Sequence, residues 1–123
     1  MIGHRTWAIA EGYIPGRSVS ESRELQSHEA ACILNASEWD AAVEITLYFE
    51  DREPAGPYRL KVGAKRTRHL RFNDLTDPEP VPRDTPYSSI IISNVPVVVQ
   101  HTRLDSRDTH IALLSTVAFP VEG

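Results

Sequence analysis

The chain has 123 residues, 41% of them hydrophobic and 24% charged, with a formal net charge of −4 and a pI near 5.7. That length allows one folding unit spanning residues 1–123 with a single core, and the composition excludes a disordered or fibrous chain. The acidic balance weighs against nucleic acid as a partner, because such affinity comes from neutralising phosphates.

The opening stretch MIGHRTWAIAEGYIP lacks the apolar core of a signal peptide, being broken by Glu11 and Gly12, so no export signal is expected. From Thr6 to Ile14 it reads as a strand with Trp7, Ile9, Glu11 and Tyr13 on one face. A carboxylate between two aromatic rings suits a sugar-like or cationic ligand, through stacking and charge-assisted hydrogen bonds. The plainer alternative is a strand-end glutamate paired with an arginine.

GRSVSESRELQS reads as a surface loop, and SRELQSHEAACIL has room for at most two helical turns. His28–Asn35 is a strand candidate containing Cys32, the sole cysteine. A single thiol forms neither an internal disulfide nor a thiolate metal cluster, which makes a reducing cytoplasm the expected location.

VEITLYFE alternates cleanly, with Val43, Ile45, Leu47 and Phe49 opposed to Glu44, Thr46, Tyr48 and Glu50. The same period recurs in YRLKV and RHLRF, and DREPAGP between the first two supplies a turn. KRTRHLRF is the one basic cluster, but alternation splits its charge between two faces. It therefore reads as a solvated surface with specific pairings. NDLTDPEPVPRDTP is a proline-rich surface loop.

Strands are expected again at Ser88–Ser93, Pro96–Arg103 and His110–Phe119. LDSRDTHIALL offers an aspartate N-cap but no amphipathic stripe. The longest apolar runs are four or five residues, around Val95–Val99, against the roughly 18 needed to span a bilayer, so a membrane is reached only through a partner. The fold class is all-β: an antiparallel, jelly-roll-like β-sandwich of about eight strands with at most one or two short helical turns.

Nothing signals catalysis. There is no G-x-S-x-G element, and the neighbouring carboxylates Glu50/Asp51 and Asp105/Asp108 look like solvated loop residues. His4, His28, His69, His101 and His110 lack i, i+2 or i, i+4 partners among themselves, so no metal and no cofactor are expected. One stretch stands out. In SNVPVVVQHTRLDSR, Val97, Val99, His101 and Arg103 share a face and Val98, Gln100 and Thr102 share the other, so the strand turns polar on both sides at once. Three multi-donor groups within four residues exceed what a strand exit needs, and point to a pocket or a subunit seam.

WAIAEGYIP, SHEAACILNA, VEITLYFEDREPAGPYRLKV, RTRHLRFNDLTDPEPVPRDTPYSS, SNVPVVVQHTRLDSR and ALLSTVAF together resemble the soluble sensory rhodopsin transducer family of cyanobacterial type. GRSVSESRELQ lies outside the resemblance. What the resemblance implies is a compact β-sandwich that assembles as a homotetramer. A membrane rhodopsin is implied as receptor, and a carbohydrate-like small molecule as ligand. The polar residues of the matching motifs are Trp7, Glu11, His28, Glu29, Asn35, His69, Arg71, Asn73, Asn94, Gln100, His101, Thr102 and Arg103.

Of these, Trp7, Glu11, His28, Asn35, His69, Arg71, Gln100, His101 and Arg103 are the candidate ligand-binding residues. Trp7 would stack, Glu11 would accept hydroxyls or a cation, and His101 and Arg103 would donate. The expectation is a non-enzymatic signalling or binding module. The alternatives are a pure interaction protein whose polar cluster forms the subunit interface, and a DNA-contacting regulator resting on the basic run.

Overall fold

The computed structural model describes residues 1–121. Eight antiparallel strands follow in order: β1 (His4–Gly12), β2 (His28–Asn35), β3 (Ala41–Phe49), β4 (Ala55–Val62), β5 (Arg66–Arg71), β6 (Tyr87–Asp105), β7 (Ala112–Val117) and β8 (Phe119–Val121). The helical content of the described residues is two single 3-10 turns, Arg23–Leu25 and Phe72–Asp74. The all-β expectation holds, and the aspartate-capped stretch after Leu104 forms bends rather than a helix.

Two sheets face each other. One runs β4-β3-β6-β1-β8, and the other runs β5-β2-β6-β7. Their inner faces meet in one hydrophobic cluster that includes Trp7, Ile9, Ile33, Ile45, Leu47, Tyr58, Phe72, Ile91, Val97 and Val99. Val43, Ile45 and Leu47 are buried as their period requires, while Glu44 and Tyr48 face out. Each large side chain buried here stabilises the fold by about 1.5–3 kcal/mol, which is why a one-residue register slip is excluded.

Ser88–Ser93 and Pro96–Arg103, expected as two strands, are one 19-residue strand, β6, that belongs to both sheets. Its first half pairs with β3 and β1, its second half with β2 and β7. Proline is tolerated in its middle for a simple reason. Pairing with β3 ends at Ser93 and pairing with β2 begins at Val98, so the missing N–H of Pro96 breaks no ladder bond to either. Trp7 pins this crossover, its indole N–H donating to the carbonyls of Val97 at 2.9 Å and His4 at 3.0 Å.

The single strand expected at His110–Phe119 is split instead. Ala118 donates its N–H to the Val99 carbonyl at 3.0 Å, and the chain passes there from β7 in one sheet to β8 in the other. Strand β4 starts earlier than YRLKV, at Ala55. Gly56, at φ +137°, lets it close on the irregular stretch between Ile45 and Leu47, where a Cβ would meet the Ile45 carbonyl oxygen at 2.9 Å.

Candidate functional site

Strand pairing builds the site. Glu29 on β2 lies directly opposite Arg103 on β6, and Arg103 opposite Leu114 on β7; the adjacent row is Leu70, Ala31, His101 and Thr116. Directly opposed residues share a face, so both rows point inward, between the sheets. The Glu29 side chain is 0% exposed. Burying a carboxylate costs several kcal/mol unless its lone pairs are matched. Here they are: Oε1 accepts from the Tyr13 N–H at 2.6 Å and from Arg103 Nε and Nη2 at 3.2 and 3.0 Å, and Oε2 lies 2.8 Å from His101 Nε2.

Neighbouring groups hold this arrangement in place. The Glu29 N–H donates to Asn73 Oδ1 at 3.2 Å, and Asn73 Nδ2 donates to the Ser27 carbonyl at 3.0 Å. Tyr13 is steadied through its hydroxyl, 3.3 Å from Asp84 Oδ1. Farther along β6, the Arg107 guanidinium clasps Asp105 and holds its carboxyl below the usual range.

Glu11 does not stand between two rings. Between Ile9, which pairs with Ser89, and Gly12, which pairs with Tyr87, two residues of β1 oppose Ser88 alone; this β-bulge breaks the alternation. Gly12 is turned inward, where a Cβ would lie 2.5 Å from the Tyr87 ring. Glu11 is left with an 86% exposed side chain, its Oε1 3.8 Å from Arg103 Nη1. That is too long for a hydrogen bond.

Above the buried cluster lies an open groove of about 270 Å³, lined by Ala8 to Glu11 of β1, His101 and Arg103 of β6, and Leu114 to Phe119 except Ser115. It forms because β8 pairs with β1 only from Thr6 to Ala8, so beyond Ala8 that edge of β1 faces the groove. Arg103 spends Nε and Nη2 on Glu29. Its Nη1 and the His101 Nδ1 have no hydrogen-bond partner among the described residues.

The nine candidate residues do not form one site. Glu11, His101 and Arg103 meet at the groove. His69 and Gln100 flank Cys32, Arg71 flanks Ala30, and His28 lies opposite Leu104, all on the outer face of the β5-β2-β6-β7 sheet. On that face Arg71 Nη1 donates to the Arg23 carbonyl at 2.9 Å and His28 Nδ1 to the Gln26 carbonyl at 2.8 Å. Trp7 is 3% exposed, so it presents no stacking face. Asn35 is fully buried, donating to the carbonyls of Trp39, Val62 and Gly63 and accepting from Ser37, which closes a loop rather than meeting a ligand.

Glu29, the centre of the cluster, was absent from the candidates. The signal was present: Glu29, Ala31 and Ile33 share a face, and a lone carboxylate on an apolar strand face needs a buried partner. The basic run is locally occupied, with Arg68 donating to the Lys61 carbonyl at 2.8 Å and Lys65 Nζ 3.4 Å from Glu38. Burial pushes the Cys32 thiol above its ordinary value, away from the reactive thiolate.

Tyr87, on the inner face beside Gly12, has a buried hydroxyl with no hydrogen-bond partner. Burial, with the nearby Glu29 charge adding to it, raises its pKa far above the usual phenol value, so it stays neutral. An unsatisfied buried hydroxyl costs about 1–3 kcal/mol, so Tyr87→Phe is expected to raise stability by up to that amount in urea unfolding. An unchanged or lowered midpoint would mean that the hydroxyl is satisfied in solution.

A two-sheet antiparallel sandwich holding a charged cluster beneath an open groove is the class that fold and site define. Residues 2–120 match the family described as Anabaena sensory rhodopsin transducer, and the chain belongs to that family, as its motifs implied. Among solved structures it is similar to the Anabaena sensory rhodopsin transducer, at 60% identity and a TM-score of 0.76, over 82% of this chain and 97% of that one. It is also similar to the Thermotoga maritima protein 1070, at 36% identity and a TM-score of 0.88, over 100% of this chain and 99% of that one. No curated protein matches it.

Proposed function

We propose that the chain is a non-enzymatic signalling module of one folding unit that binds a small molecule in the groove between β1 and β7 and works as a homotetramer. One observation carries the ligand reading. A fully buried carboxylate, Glu29, fixes Arg103 from behind and leaves Nη1 without a hydrogen bond in a largely apolar trough, with only the exposed Glu11 carboxylate 3.8 Å away. Holding a charge inside a small sandwich is costly, and here the cost yields a donor held rigidly at a cavity wall.

The interaction reading draws on a different observation, the sheet edges. Edge strands of monomers carry charges, prolines or short lengths that block pairing with another chain. β4 carries Pro57, Arg59 and Lys61, β5 carries Arg66, Arg68 and Arg71, and β8 has three residues including Pro120. β7 has none of these devices: all six of its residues are exposed, they bear no charge, and Leu113, Leu114 and Val117 are apolar. That supports β7 as an assembly edge. The Anabaena relative is by name a transducer for a sensory rhodopsin, and a photoreceptor of that type is the proposed receptor of the assembly.

The ligand reading is tested by thermal shift against simple sugars, organic acids and amines, using the wild type and Thr116→Trp, which fills the groove from an exposed position. At least one class is expected to stabilise the wild type and not the variant. Stabilisation of neither, or of both equally, would contradict it.

A further inference from the structure

The lining of the groove restricts what it holds. Seven of the eleven lining residues are alanine, isoleucine, leucine, valine or phenylalanine. Polar side chains come from Glu11, His101, Arg103 and Thr116 alone, and two of these already serve Glu29. A polyhydroxylated ligand carries donors and acceptors around its whole rim, and most would face hydrocarbon here without a partner. A ligand with one polar head and an apolar body meets no such penalty.

The sign of the head follows from Arg103. Arg103 Nη1 carries N–H donors with no acceptor inside hydrogen-bond distance, because Glu11 stops at 3.8 Å. Arginine pairs best with a planar carboxylate. His101, whose Nε2–H donates to Glu29, turns Nδ1 toward the same wall as an acceptor, so the anion is held by Arg103 and not by the imidazole. Glu11, with its side chain 86% exposed, hydrogen-bonds to nothing among the described residues and is free to swing into solvent.

We propose that the groove takes an amphipathic organic carboxylate. Its head displaces the Glu11 carboxylate from Arg103, and its hydrocarbon body lies along Leu114, Val117, Phe119 and the alanines of β1. This rests on the ligand reading of the groove given above. The volume of about 270 Å³ limits the ligand to a small molecule.

Isothermal titration of the full chain with butanoate, hexanoate and octanoate tests it, with octanamide, octylamine and methyl glucoside as comparators. Affinity is expected to rise roughly fourfold per added methylene, as burial of a CH₂ requires. It is expected to fall at least tenfold for octanamide, to be lost in Thr116→Trp, and to rise severalfold in Glu11→Gln, which removes the competing carboxylate. Binding of octylamine or methyl glucoside in preference to octanoate, blocked by Thr116→Trp, would overturn the carboxylate and leave the groove standing as a site. Binding of none of these compounds would overturn the carboxylate, while a different class found in the thermal-shift screen would still support the groove.

Discussion

Arg103→Ala is expected to destabilise the fold by about 3–5 kcal/mol, the usual result of removing one partner from a buried ion pair. The Glu29 side chain is 0% exposed, so without Arg103 its Oε1 loses two donors where no solvent replaces them. His101 and the Tyr13 N–H remain as donors, but neither replaces the two contacts from Arg103. Glu29→Met/Arg103→Met is expected to recover at least half of the loss, because the pair is then replaced by hydrocarbon of similar length. Urea unfolding of both variants checks this. A loss below about 1 kcal/mol in Arg103→Ala would place the pair among surface salt bridges, contrary to the burial of Glu29.

Leu113→Lys/Ser115→Lys is expected to break the proposed homotetramer into smaller species, dimers or monomers of 13.8 kDa, measured by light scattering during size exclusion. Both positions are exposed on β7, and neither lines the groove, so the cost to the isolated chain is small. A lysine on an edge strand is a natural block to pairing, since its charge cannot enter a paired sheet cheaply. The control, Leu25→Lys, adds a charge at an exposed leucine in the Arg23–Leu25 turn and is expected to leave the mass unchanged. A monomeric wild type, or an assembly that survives both lysines, would contradict β7 as the assembly edge.

The fold was legible wherever a strand has one wet face. VEITLYFE announces β3 because Glu44 and Glu50 interrupt Val43, Ile45 and Leu47 at period 2. The continuity of β6 was not legible, because Asn94 to Pro96 carry a turn-like composition and local pattern does not show that the chain there is changing sheets. Switching at Ala118 was hidden for the converse reason: β-branched and apolar residues continue across it without a break.

For the site, period 2 alone paired His101 with Arg103 on the correct face. It misplaced Glu11, because a bulge inserts one residue and every side chain beyond it changes face. The family resemblance added His69, Arg71 and Gln100, since matching motifs carry both faces of a strand without saying which one meets the groove. Cross-strand pairing with β2 supplies that distinction and brings in Glu29. The polar end of VVVQHTR divides accordingly, with His101 and Arg103 serving the groove and Gln100 and Thr102 serving the opposite sheet face.

The division between the two faces is tested most directly by following side-chain and backbone amide resonances during titration, first with octanoate and then with methyl glucoside. With octanoate the expected result is movement of the Arg103 Nε–H signal and of the amides of Ala10, Leu114 and Thr116, with Cys32, His69 and Gln100 unmoved; methyl glucoside at the same concentration is expected to move none of them. Shifts confined to Cys32, His69 and Gln100 would put the ligand on the outer face of the β5-β2-β6-β7 sheet and contradict the groove.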